Sequence, residues 1–260
     1  MYFHKLVRLM TKLFSSFLLL SEAKRTFASD DHISVLLAFH QWRSLKRVDG
    51  RKCRAFLQEN FLSYQALANI AQLRNQLKRY MSDIGFVTPS SEKHVVEGND
   101  LSLVRAVISA AFSPNIIISP KKLGGLTAGE VPFRGKKGDV YLHPSTIAFS
   151  AKELDSRYCC YHEIVKTSKV YVRDCTTISK FSLLLFGGSL QVYQNKGVVT
   201  VDDWLKFRCD AKPATLVKYL RQSMEALLLE KIMDPSIDMA ASVKGRAVID
   251  SVTSLLKMET

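Results

Sequence analysis

Residues 166–188, KTSKVYVRDCTTISKFSLLLFGG, limit what this chain can become more than any other stretch of it. Val170, Tyr171 and Val172 make a β-forming run with Arg173 at its tip. A polar turn from Asp174 to Ser179 and a second apolar β-run closing on Gly187-Gly188 are expected to follow. In a strand, alternation puts Tyr171 and Arg173 on one face and Val170 and Val172 on the other. Two such runs with cations at their junction suit a small barrel that turns a basic face to a polyanion.

The surrounding sequence has the same texture. Short β-rich runs at 116–118, 140–143, 158–165, 169–173, 182–186, 190–193 and 198–201 alternate with Gly, Pro and Ser. So many short strands in so little chain predict a barrel or sandwich. Helical patterns flank it. Ser29-Asp30-Asp31 offers N-cap chemistry to a helix whose apolar face is Val35, Ala38, Phe39 and Trp42. Ser63 starts a second helix, with Leu67, Ile70, Leu73, Leu77, Met81 and Ile84 on one side and Gly85 as its stop. After a polar linker at 88–99, Asp100 caps a short helix bearing Leu103, Val104, Val107 and Ile108. A long amphipathic helix then carries Leu216, Val217, Leu220, Met224, Leu227, Leu228 and Ile232 up to Pro235, and a weaker one covers about 244–258. The fold class is therefore α+β.

Charge narrows the function classes. The net charge is +13, divided as +8 over residues 1–90, +4 over 91–210 and +1 over 211–260. A positive field placed on the N-terminal third and the middle fits a polyanion partner. The five cysteines (Cys53, Cys159, Cys160, Cys175, Cys209) form no CxxC pair, and no Cys/His cluster has metal-ligand spacing, so they read as core thiols of a reducing compartment. Residues 1–22 open with positive charges and a short apolar stretch. They read either as a targeting leader or as a remnant amphipathic helix, and the stretch is too short to span a bilayer.

No catalytic constellation is legible. Residues 129–137, GEVPFRGKK, put five residues between the glycines where a phosphate-binding loop has four, and Lys137 stands where that loop has Ser or Thr. The stretch is expected to be a basic β-loop. There is no Asp-Glu dipeptide, no HExxH and no GxSxG, and Asp202-Asp203 reads as a turn before Trp204. Four groups are candidates for a polyanion: Arg134, Lys136 and Lys137 in that loop; His143, Ser145 and Thr146 of LHPST; Lys166, Thr167, Ser168, Lys169 and Arg173; and the rings of Tyr141 and Tyr171. Tyr141 and Tyr171 could stack bases, but their Val and Leu neighbours place them in the core.

In order along the chain, several pieces resemble the region after the ATPase core in DExH-box helicases of the RNA helicase A type. AKRTFASDDHISVLLAFHQW is similar to the helicase-associated helical segment, and ENFLSYQAL to its next helix start. LVRAVISAAFSPNI is similar to the helix leading into an oligonucleotide-binding (OB) barrel. VYLHPSTI, YHEIVKTSKVYVRDCTTIS and LLLFGG are similar to the barrel itself, VDDWLKF to its closing strand, and LVKYLRQSMEALLLEKI to its trailing helix. The resemblance implies a ratchet-like helical segment at 23–90, an OB-fold domain at 91–210 and a helical extension at 211–260. It also implies single-stranded RNA as partner, facing LHPST and the 166–173 junction. The family uses ATP and magnesium, but the motifs that hold them are missing here, so this chain is expected to bind RNA without hydrolysis and without a cofactor. The rival expectation is a docking module for a helicase core or an activator protein.

Overall fold

The computed structural model describes residues 27–86 and 100–258, so the expected leader at 1–22 and linker at 88–99 lie outside the described residues. Described residues up to 74 form one compact unit with 115–178; those from 75 to 114 form a second with 179 onward.

In the first unit, helix α1 (Asp31–Val48) is followed by α2 (Gly50–Glu59) and by the start of α3 (Tyr64–Asp83). Ala38, Phe39 and Trp42 of α1 close a core with Cys53, Phe56 and Leu57 of α2 and Leu67 and Ile70 of α3. Arg43, Lys46, Arg47, Arg51, Lys52 and Arg54 form a basic cluster at 43–54. It sits on α1 and α2, and the Asp49 carboxylate caps α2 by accepting from Arg51 N at 2.8 Å and Lys52 N at 3.2 Å.

Five strands build a barrel: β1 (Ile116–Ile118), β2 (Phe133–Gly135), β3 (Gly138–Leu142), β4 (Tyr158–Lys166) and β5 (Val170–Ile178). They close in the order β1-β2-β3-β5-β4, as in an OB fold. β3 and β5 pair in parallel, Tyr141 opposite Tyr171 and Leu142 opposite Val172. The other pairings are antiparallel. Ile117, Phe133, Val140, Leu142, Cys159, Val172 and Cys175 point inward and fill the core. Burial pushes the thiols of Cys159, Cys160 and Cys175 up, so these sulfurs pack as protonated groups. β5 does not end at Arg173. It runs through the expected turn to Ile178, with a kink at Asp174, whose φ is 52°.

The second unit contains α4 (Leu101–Phe112), α5 (Lys180–Phe186), β6 (Leu190–Tyr193), β7 (Val198–Val201), β8 (Leu205–Arg208), α6 (Ala211–Met233) and α7 (Val243–Lys257). Three expectations change here. Residues 182–186 belong to helix α5, not to a strand, and Ser179 caps it by accepting from Ser182 N at 3.0 Å. VDDWLKF does not close the barrel: β8 pairs with β7 in a separate sheet ordered β6-β7-β8, and the barrel closes through β1 and β4. The apolar face expected on α6 is only partly covered: Leu227 is buried and Val217, Leu220 and Met224 are half-buried, but Leu216 at 68%, Leu228 and Ile232 at 60% are exposed, while Ala214 and Lys231 are buried. Lys231 tolerates burial because its ammonium donates to Pro235 O at 2.6 Å and Ile237 O at 2.9 Å. On α4 the buried stripe is Ser102, Ala106 and Ser109, and Val107 faces solvent. The Asp202-Asp203 turn is as expected, with both residues at positive φ.

Candidate nucleic-acid interface

Alternation along β3 and β5 directs Val140, Leu142 and Val172 into the barrel and Tyr141, Tyr171 and Arg173 out of it. The two tyrosines, expected in the core, are half-buried on the outer face with ring centroids 6.3 Å apart. His143 extends the ladder one residue past β3 by donating its N–H to Val172 O at 3.0 Å, and its ring meets Tyr171 edge-on at 6.0 Å. Arg173 Nη2 lies 3.1 Å from His143 Nε2, and Lys169 Nζ sits 4.0 Å over the Tyr141 ring. Lys169, Tyr141, Tyr171, His143 and Arg173 thus form one continuous row.

The His143 ring is held at both nitrogens: the Arg173 guanidinium, which only donates, faces Nε2, while Nδ1 accepts from Ser145 N at 3.1 Å and lies 2.8 Å from Ser145 Oγ. Burial, and then the charge of Arg173, hold His143 below its ordinary 6.5, with Asp174 and Glu163 pulling the other way. Arg173 also faces Glu163 at 3.9 Å across the β4–β5 pair, and both side chains are substantially exposed. Such a pair contributes about 1 kcal/mol or less, so a phosphate can replace the carboxylate.

The remaining expected residues fall into two sets. Lys166 ends β4, and the turn after it is closed by Thr167 N donating to Lys169 O at 2.9 Å. Arg134, opposite Asp139, and the exposed Lys136 and Lys137 form the β2–β3 hairpin, with Gly138 at φ 130° completing its turn. The GEVPFRGKK stretch is therefore the basic β-loop expected. Because β3 and β5 are parallel, the turns preceding them leave the same end of the barrel, so Lys136, Lys137, Lys166 and Lys169 share that end. Thr146 needs correction as a contact residue: it is fully buried, and its N–H and hydroxyl both donate to His143 O. It shapes the His143 loop instead.

What holds this loop was missed in the sequence. Asp30 and Asp31 are buried, and the Asp30 side chain caps nothing. Its carboxylate accepts from Thr177 N at 2.8 Å and Thr177 Oγ1 at 2.9 Å. Asp31 accepts from Cys175 N at 2.9 Å and, at 3.4 Å, from Ile147 N just beyond the His143 loop. His32 Nδ1 lies 2.8 Å from Thr176 Oγ1. Three consecutive residues at the start of α1 therefore pin β5 and the loop that presents His143 and Ser145. The only local signal was two adjacent acids at a helix start.

Comparison with known proteins agrees with this geometry. Residues 104–190 match the oligonucleotide/oligosaccharide-binding (OB)-fold family, and residues 197–258 match the C-terminal domain in RNA helicases. The chain is 35% identical over 243 residues to the DExH-box ATP-dependent RNA helicase DExH1 of Arabidopsis thaliana, covering 92% of this chain and 24% of that protein. It is 31% identical to the putative ATP-dependent RNA helicase DHX57 of Mus musculus, covering 88% of this chain and 19% of the relative. To the mouse ATP-dependent DNA/RNA helicase DHX36 it is 29% identical, covering 88% and 24%. The chain thus spans a quarter or less of the length of these relatives. Its barrel, its second domain match and its relatives place it in the DExH-box RNA helicase family, as the OB-fold and C-terminal domain region of such a protein.

Proposed function

We propose that this chain is the RNA-binding accessory portion, helical segment plus OB barrel, of a DExH-box ATP-dependent RNA helicase. It contacts single-stranded RNA through the outer face of β3 and β5 and hydrolyses no ATP itself. The row from Lys169 to Arg173 carries this reading, because it sets three ring surfaces between two cations on the outer face of the barrel. Tyr141, Tyr171 and His143 offer ring surfaces to unpaired bases, while Lys166, Lys169, Arg173 and the Arg134–Lys136–Lys137 hairpin neutralise phosphates. On this reading neither ATP nor magnesium has a place in the chain. The test is fluorescence anisotropy of a labelled single-stranded RNA over a salt series, with Arg173→Ala and Lys169→Ala beside the wild type. Binding that weakens linearly in log salt, and that either substitution reduces by roughly threefold to thirtyfold, supports the reading. A folded, monodisperse protein that binds no RNA at low salt overturns it.

One observation favours a second reading, a docking module for a helicase core or activator protein. Leu216, Tyr219, Leu229, Ile232 and Met233 are exposed along α6, more apolar surface than one helix ordinarily leaves to water. Among the described residues, no helix is long and apolar enough to cross a membrane.

A further inference from the structure

The loop after β1 and the segment before β4 enclose a cleft of about 730 Å³ that belongs to none of the residues discussed so far. Four cations line it, Lys121, Lys122, Lys152 and Arg157, against one carboxylate, Glu153. The two walls are joined: Ser119 N donates to Arg157 O at 2.8 Å, and Arg157 Nη2 donates back to Ser119 O at 3.2 Å. Leu123 and Leu154 turn from the lining to pack on the barrel core, which anchors both walls to the strands. Gly124 and Gly125 adopt left-handed φ of 64° and 86°, and no atom lies within 4 Å of where a Cβ would stand on either. A ligand can therefore approach the bare backbone there.

We infer that this cleft is a phosphate-binding site. Its volume suits a ligand the size of one or two nucleotides, and its net positive lining selects for anions. Lys121 and Lys122 come from one wall and Lys152 from the other, while Arg157 is held in place and offers a planar fork to phosphate oxygens. Glu153 is the one lining group that opposes an anion, and it sets an upper limit on the charge the site neutralises. The phosphate can belong to an RNA backbone or to a small soluble polyphosphate. The inference stands independently of the β3–β5 row.

Two probes separate these sources: inorganic tripolyphosphate by calorimetry, and a labelled oligouridylate by anisotropy across salt. Both are applied to the full chain, to a Lys121→Ala/Lys122→Ala double variant, to Lys152→Ala and to Arg173→Ala. Circular dichroism and gel filtration confirm that each variant is folded; should the double variant fail to fold, Lys152→Ala carries the comparison. The double variant is expected to weaken at least one probe by roughly tenfold, and for RNA to lower the log–log salt slope by about two. Loss for tripolyphosphate alone identifies a small polyphosphate as the ligand, and loss for RNA alone identifies a nucleic-acid backbone. Folded cleft variants that bind both probes like the wild type overturn the inference, as does failure of the wild type to bind either. Because Arg173→Ala reports only on the β3–β5 row, failure of one site is read separately from failure of the other.

Discussion

Replacing Asp30 with alanine leaves the Thr177 N–H and hydroxyl, both buried, without the acceptor they now share. The expected cost is about 2–4 kcal/mol, read as a lower urea midpoint. Asp30→Asn keeps a carbonyl oxygen in reach of both donors and should lose well under half of that. Equal losses for the two variants would mean that charge, not acceptance, holds the contact. His143 gives a second expectation. Its folded pKa lies below 6.5, so between that value and 6.5 the unfolded chain binds more protons than the folded one. Stability contributed by neutral His143 is complete above 6.5 and falls as pH drops below it. Melting temperatures at pH 7.5 and 5.5 should differ less for His143→Gln than for wild type. His40, lowered by burial and by Arg74 and Arg43, remains in both proteins and cancels in that comparison. Neither the Asp30 contact nor the His143–Arg173 contact was legible, since both join residues far apart in sequence. The outward position of Arg173 was legible, because strand alternation is local.

At the scale of elements, the period-two reading succeeded along β5, where apolar and polar residues alternate, and the outer face it named is the face observed. The expectation that Tyr141 and Tyr171 lie in the core failed, because flanking aliphatic residues say nothing about which side of a barrel wall a ring occupies. The run 182–186 is too short and too uniformly apolar for periodicity to separate helix from strand, and the Ser179 cap was the better signal. α2 escaped notice because its charges hide the narrow stripe of Cys53, Phe56 and Leu57. The β2–β3 hairpin was read correctly, and it yields its own expectation. Lys136→Ala/Lys137→Ala should reduce RNA affinity and lower the log–log salt slope by about two, leaving the thermal midpoint unchanged. An unchanged slope would remove the hairpin from the interface.

For the whole molecule, the lesson concerns where the chain divides. The resemblance suggested a domain at 91–210, a range that crosses both compact units and omits Asp30 and Asp31. A polypeptide limited to 91–210 is expected to bind hydrophobic dye and to unfold without a cooperative transition, whereas the full chain unfolds cooperatively. A sharp transition from the shorter piece would show that the barrel stands without α1. The architecture as a class was readable from strand spacing and caps. The division was not, because it depends on which distant segments meet.

The pairing of Asp30 with Thr177 spans 147 positions. During synthesis the two acids leave the ribosome well before the strand that receives them, by roughly ten to thirty seconds at ordinary elongation rates. Through that interval the helical segment can form its own apolar cluster but cannot dock, and the nascent barrel waits for its fifth strand before it can close. The ribosome would thus release a chain in which helix α1, made well before the barrel, is among the last pieces to find its place.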